Sequence, residues 1–282
     1  MKVLVLGATG LLGNMLFRVL SESSNLEVFG TIRQESSRRF FDKEISSRLV
    51  IVKSLENVSE IEFILDNVNP EVVINCISLE QPFPKEIMRF VSIFALLPKR
   101  LSYLCKLRSM RLIQMSTDGV FSGDKGNYKE DDIPDADDIY GTSKMLGELV
   151  EPHTITLRTS IIGHSLQGKS GLLEWFLTQE NICHCYTRAI FSGFPTVILS
   201  QLIRDYIIPR QDLYGIYHVS SQSISKYELL KLVAMQYDKK IEIMPDDKLA
   251  INRSLDSARF QAETGYIAPK WPELIKVMHS CQ

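Results

Sequence analysis

A tyrosine and a lysine stand four residues apart in Tyr140-Gly141-Thr142-Ser143-Lys144. On a helix, positions i and i+4 share a face, so the ammonium can lie beside the phenol. A free phenol titrates near ~10, too high for ready proton exchange at neutral pH. A neighbouring cation lowers that value, and Tyr140 then reads as a general acid tuned by Lys144. The same spacing also occurs in ordinary surface pairs. A second group, Ser116-Thr117-Asp118-Gly119-Val120-Phe121, follows an apolar run ending at Met115. The Thr117 hydroxyl can hydrogen-bond a substrate carbonyl oxygen beside Tyr140, or it can simply satisfy local backbone. The third group is Gly7-Ala8-Thr9-Gly10-Leu11-Leu12-Gly13, directly after the first apolar run. Gly7 permits a tight turn, Gly10 lets backbone N–H groups approach a pyrophosphate, and Gly13 lets a helix pack close on a strand. Thr9, Leu11 and Leu12 complete this dinucleotide cradle. The three groups in this order are more specific than any one of them.

The residue after the second strand helps to select the cofactor. An acid there binds a ribose 2′-hydroxyl, whereas a cation suits a 2′-phosphate. Here the strand ends Gly30-Thr31-Ile32-Arg33, with Arg38 and Arg39 nearby. Arg33 favours NADP(H), with NAD(H) the alternative. Arg38 and Arg39 also fit a solvated face.

These groups need elements to hold them. Apolar runs at 3–6, 26–31, 49–52, 72–76, 111–115 and 155–157 read as strands. Helical spacing appears at 12–20, 61–68, 88–104 and 140–149. Continuous apolar strands separated by helices imply a parallel sheet covered on both faces, a doubly wound α/β fold. Residues 1–158 form the expected dinucleotide-binding unit. Residues 159–282 form a smaller substrate-binding region, partly interwoven with it. A late strand is expected at 214–220, and helices at 225–237 and 271–279. Asp138 is a candidate N-cap for the helix carrying Tyr140.

The 282 residues are 45% hydrophobic and 23% charged, ordinary for a globular chain. A net charge of −2 gives no footprint for nucleic acid and no basic membrane patch. No run reaches the ~18–20 apolar residues that span a bilayer. Five scattered cysteines suit a reducing, cytoplasmic setting. Cys183-His184-Cys185 lacks the spacing of a zinc knuckle and reads as an alternating strand, with no metal. His164 and His218 read as structural.

The motifs together resemble the extended short-chain dehydrogenase/reductases, and within them the dTDP-4-dehydrorhamnose reductase family. The resemblance runs through Gly7 to Gly13, Val73 to Cys76, Ser116 to Phe121, Tyr140 to Lys144, Leu157 to Ser160, Phe194 to Thr196 and Tyr217 to Tyr227, essentially the whole chain. It implies a Rossmann-like fold and NADPH-dependent reduction of the 4-keto group of a nucleotide-linked 4-keto-6-deoxy sugar, in polysaccharide precursor synthesis. It implies that Tyr140 gives the proton, that Lys144 tunes it and binds the nicotinamide ribose, and that Thr117 shares the bond to the reacting oxygen. Cys76 and Ile77 would line the cofactor cleft. Ser78, Asp118, Ser160 and Ile161 would meet substrate, and a homodimer is expected by analogy. Departures cluster at the substrate side: Gly119 replaces an aromatic residue, Phe94 an asparagine, Ile161 a tryptophan, and Lys53 stands near the usual acid. A dehydratase would need Glu at 119. An epimerase would favour tightly held NAD, against Arg33. A non-catalytic subunit of the methionine adenosyltransferase beta type shares many of these motifs and is the remaining alternative.

Overall fold

Seven parallel strands form the central sheet of the computed structural model, which describes residues 1–79, 87–166 and 171–281. The first half runs β1 (Lys2–Leu6), α1 (Leu11–Ser21), β2 (Glu27–Ile32), α2 (Lys43–Ser46), β3 (Leu49–Ile51), α3 (Val58–Val68), β4 (Val72–Asn75), α4 (Ile87–Phe90), α5 (Leu97–Leu107), β5 (Arg111–Met115), α6 (Ile139–Leu146) and β6 (Thr154–Arg158). The remainder runs β7 (Ile161–Ile162), α7 (Leu172–Thr178), β8 (Ile182–Phe191), β9 (Phe194–Pro195), α8 (Thr196–Leu202), β10 (Gly215–His218), β11 (Ile224–Ser225), α9 (Lys226–Gln236), β12 (Glu242–Asn252), α10 (Ala258–Thr264) and α11 (Trp271–Ser280).

Strand order is β10-β6-β5-β4-β1-β2-β3. Alternate residues of β1 enter opposite cores. Val3 and Val5 pack with Leu16 and Phe17 of α1, and Leu4 and Leu6 with Ile61, Ile64 and Leu65 of α3. Burial on both faces explains the uninterrupted apolar runs. The chain winds outward from β1 in one direction through β2 and β3, and in the other through β4 to β6. The switch point therefore lies between the tips of β1 and β4, where such sheets take ligands. The late strand β10 joins the same sheet, pairing Gly215 with Ile155 and His218 with Arg158.

Beyond β6 a second sheet sets β11 antiparallel and β12 parallel to β8. The alternation at Cys183-His184-Cys185 is that of a strand. Both thiols are buried with sulfurs 3.5 Å apart, and His184 is exposed. The Gly- and Ser-rich stretch at 163–171 lies partly outside the described residues. Among the described residues, no helix is long and apolar enough to cross a membrane.

The periodicity over 88–104 predicts one helix, and the structure divides it. Val91–Leu96 is a π-helical turn between α4 and α5. Pro98 supplies the reason. It lacks an N–H, and its ring conflicts with the carbonyl four residues back, at Phe94. The displaced Phe94 carbonyl approaches Gly147, just past α6, where a Cβ would lie 1.8 Å from its oxygen. The helix expected to reach Leu149 ends instead at Leu146. Gly147 has an ordinary φ of −86°, so a substitution there meets a steric penalty only. Gly147→Ala should cost about 1–3 kcal/mol, measured as a lower midpoint in urea unfolding at unchanged slope.

Candidate active site

The glycine-rich turn is built as the sequence requires. Gly7 adopts φ +84°, and a Cβ on Gly13 would fall 2.1 Å from the Gly7 oxygen. The turn is tied to β2 because Gly7 N–H donates to Thr31 Oγ1 at 2.9 Å and Ala8 N–H to the Thr31 carbonyl at 3.0 Å. Gly10 occupies the N-cap of α1 without a side chain to offer. The first-turn N–H groups, at Leu11, Leu12 and Gly13, have no acceptor four residues back within the helix. The tip of β4 closes beside this cradle. Ile77 backbone lies 3.3 Å from a Cβ placed on Gly7, and the Cys76 carbonyl 3.8 Å from one on Gly10. Ser78 is exposed just beyond. Arg33 stands exposed at the tip of β2. Arg38 is paired with Glu35 at 2.7 Å, and Arg39 lies over the Phe40 ring. The cradle, the bare helix start and the cation at β2 fit a dinucleotide with a 2′-phosphate. Lys53 is exposed beyond β3.

Across the switch point, α6 presents Tyr140 and Lys144. Asp138 caps this helix, its Oδ1 accepting from Gly141 N–H at 2.7 Å. Thr117 follows β5 and faces Tyr140. Its Oγ1 accepts from Gly119 N–H at 3.0 Å and donates to Asp118 Oδ1 at 3.2 Å. Tyr140 lies beside Thr117, whose hydroxyl lowers the phenol's pKa, and both adjoin Gly119. A hydroxyl has one proton, and that of Thr117 is directed to Asp118. Ser160 adjoins Asp118 and lowers its pKa. Ile161 lies next in line and pairs with Phe194. Thr117, Asp118, Tyr140 and Ser160 thus meet in one cluster, with Cys76 near Lys144 on the cofactor side.

The electrostatics differ from the sequence expectation for Tyr140. Burial raises its pKa, the Thr117 hydroxyl opposes that, Asp118 and Asp138 raise it further, and Arg253 lowers it. Lys144 is held by backbone. Its Nζ donates to the Met115 carbonyl at 2.6 Å and sits 5.2 Å over the Phe94 ring. Phe94 in turn meets Tyr140 edge-on, with ring centroids 5.5 Å apart. Burial pushes Lys144 down to about 8, against the fields of Glu148 and Cys76. Asp118 is pushed up to about 6, chiefly by burial, despite Thr117, Arg253, Ser160 and Lys226.

Arg253, beyond the end of β12, and Lys226, opening α9, were not legible as site residues. They reach the cluster only through tertiary folding, and no spacing links them to Tyr140. Gly119 leaves room beside the pair, since a Cβ there would lie 3.3 Å from Thr117 Oγ1 and 3.4 Å from Tyr140 Cε1. A separate groove of about 810 Å³ runs along the outer edge of β10, lined by Lys129, Glu130, Tyr217, Arg259 and Glu263 among others. None of the predicted site residues lines it.

The family model described as the RmlD substrate binding domain matches residues 1–278. The chain belongs to this family. A probable low-salt glycan biosynthesis reductase of Haloferax volcanii is 32% identical over 169 residues, 57% of this chain and 54% of that protein. This match spans about half the length of that relative. A dTDP-4-dehydrorhamnose reductase of Aggregatibacter actinomycetemcomitans is 26% identical across 78% of this chain and 74% of its own. Methionine adenosyltransferase 2 subunit beta of Xenopus laevis is 24% identical across 81% and 70%. Among solved structures, the Bacillus anthracis dTDP-4-dehydrorhamnose reductase in complex with NADP shares the fold at a TM-score of 0.78, with 22% identity over 99% of this chain and 98% of that one.

Behind the RmlD-type site lies a buried ion pair. Glu148 Oε2 accepts from Arg158 Nη2 at 2.7 Å, and Glu148 Oε1 from Ser116 Oγ at 2.7 Å. Arg158 Nη1 meets His218 Nε2 at 3.1 Å, and His218 Nδ1 meets the Tyr128 carbonyl at 3.0 Å. The imidazole must stay neutral there, and burial with Arg158 pushes its pKa down from 6.5 to about 4. As pH falls from 6.5 toward 4, the unfolded chain takes up this proton and the folded one does not. Stability present above 6.5 is lost across that window, by about 3 kcal/mol. Urea unfolding from pH 7 to 4.5 should show a shallower pH dependence in His218→Gln than in the parent.

Proposed function

We propose that the chain reduces the 4-keto group of a nucleotide-linked 4-keto-6-deoxy sugar, with NADPH, in the synthesis of polysaccharide precursors. The carrying observation is the Tyr140 phenol beside Thr117 at the C-terminal tip of β5, across the switch point from the glycine cradle. The relationship to a dTDP-4-dehydrorhamnose reductase supports the substrate class.

Gly7, Thr9, Gly10, Leu11, Leu12 and Gly13 would hold the pyrophosphate, Arg33 the 2′-phosphate, and Cys76, Ile77, Tyr140 and Lys144 the nicotinamide end. The reduced dinucleotide supplies hydride when bound. Tyr140 donates its proton to the oxygen of the carbonyl as negative charge develops there. Thr117 lies where it can share that oxygen. Lys144, fixed by Met115, is placed for the ribose and for the charge of the site. Ser78, Asp118, Ser160 and Ile161 form the substrate side, the last two contributed by the region 159–282. The buried positive charge of Lys144 favours the phenolate left behind, at long range rather than by contact. We further infer a cytoplasmic enzyme, in the compartment suited to its thiols, with a second copy of the chain as its expected partner.

The test is NADPH consumption with dTDP-, UDP- and GDP-linked 4-keto-6-deoxyhexoses. Turnover with one of them identifies the nucleotide. Tyr140→Phe should lose about 100-fold or more in kcat while retaining NADPH binding. Binding of NADPH with no turnover of any keto sugar would favour the regulatory role suggested by the methionine adenosyltransferase relative. Arg33→Asp should weaken NADPH by roughly tenfold or more, about 1.4 kcal/mol per decade, and leave NADH affected less. Titration of dinucleotide fluorescence reads both.

A further inference from the structure

A proton donor must be refilled after each turnover, and the groups that adjoin Tyr140 offer one route. On one side of Tyr140 the buried Phe94 ring packs edge-on against it, with centroids 5.5 Å apart. Lys144 is itself buried, bound to a backbone carbonyl and held over that ring. On the other side Tyr140 adjoins Thr117 across Gly119, and Thr117 Oγ1 donates to Asp118 Oδ1 at 3.2 Å. Gly119 contributes only a backbone N–H at this point, so no side chain separates the three groups.

We propose that Asp118 returns the proton to Tyr140 through the Thr117 hydroxyl. This rests on the reading of Tyr140 as the proton donor. The steps balance. The Tyr140 O–H bond breaks as the substrate oxygen takes the proton, leaving a phenolate. The Thr117 O–H bond breaks toward that phenolate while Thr117 Oγ1 takes the proton of the Asp118 carboxylic acid. The Asp118 carboxylate is then reprotonated from solvent. Gly119 N–H holds Thr117 Oγ1 throughout, so only the hydroxyl proton changes direction.

Asp118 touches neither the phenol nor the reacting carbonyl in this scheme. It acts through Thr117 and is a positioning residue. The charged groups around it come from several elements. Arg253 faces it from beyond β12 and Lys226 from α9, both favouring the carboxylate, while Ser160 adjoins it from the loop after β6. Asp138 faces Tyr140 from the N-cap of α6. Burial outweighs the two cations and holds the carboxyl near 6, where both its protonation states are populated around neutral pH.

Two measurements on the full chain test the path. The first requires no turnover. With NADP bound, the 13C resonances of the Asp118 carboxyl and the Tyr140 phenol carbon are followed from pH 5 to 8. Both should move with one midpoint near 6. Thr117→Val should abolish the Tyr140 movement while Asp118 still titrates. A Tyr140 signal that ignores Asp118, or follows it unchanged in Thr117→Val, overturns the proposal. The second is the pH profile of kcat. In the parent, kcat should fall as pH rises through the Asp118 midpoint. Asp118→Asn should lower kcat by about 10- to 100-fold, lose that limb and leave NADPH binding unaltered. A parent-like rate and profile in Asp118→Asn also overturns it. Coupled resonances in a chain that reduces no 4-keto sugar would uphold the proton path and reject the substrate reading.

Discussion

The buried pair of Arg158 and Glu148 is the joint on which the site hangs. Arg158 leaves the end of β6 and Glu148 follows α6, and both are nearly sealed from water. Removing two charges from water is costly, and their mutual attraction offsets that only when every remaining hydrogen-bonding position is filled. The structure supplies partners on both sides of the pair. Ser116 at the tip of β5 donates to Glu148, His218 at the end of β10 meets Arg158, and the Phe121 ring lies beneath the guanidinium. One charge network thereby fixes three strand ends and the helix carrying Tyr140. Thr117 follows Ser116 directly, so its position is set by the same network.

The loop after Thr117 is held from the opposite side. Asn252 N–H donates to the Gly123 carbonyl, Asn127 N–H to Ser254 Oγ, and Asp256 N–H to the Tyr128 carbonyl. A Cβ on Gly123 would lie 2.4 Å from an Ile251 side-chain atom. This close approach brings Arg253 to the edge of the site, within 3.8 Å of Asp138. The substrate side is thus made by distant segments pressed onto a short loop. The cofactor side is made by turns that fold largely within themselves.

That contrast explains what the sequence could disclose. The parallel strands were legible at 3–6, 72–76 and 111–115 because burial on both faces leaves continuous apolar runs. Tyr140, Lys144, Thr117 and the glycine turn were legible because their spacing is local. β12 left no trace, since Glu242–Asn252 contains a proline and adjacent aspartates, is mostly exposed, and is irregular between Asp246 and Ala250. α8 escaped notice because Thr196–Leu202 is buried all round and carries no amphipathic period. The π turn arises where Pro98 displaces the Phe94 carbonyl toward Gly147, a tertiary event that helical periodicity does not record.

The closing strand of the main sheet has a temporal meaning. Until β10 arrives to pair with β6, the sheet ends in the backbone of a strand that is fully buried in the finished fold, Thr154–Arg158, with its outer N–H and C=O groups unpaired. The chain emerges in order, so this edge is made well before its cover. Arg158 must likewise wait for His218. The nascent protein therefore passes through a stage in which its dinucleotide half is nearly complete yet adhesive along one margin, and shielding by a chaperone matters most during synthesis of the segment between β6 and β10.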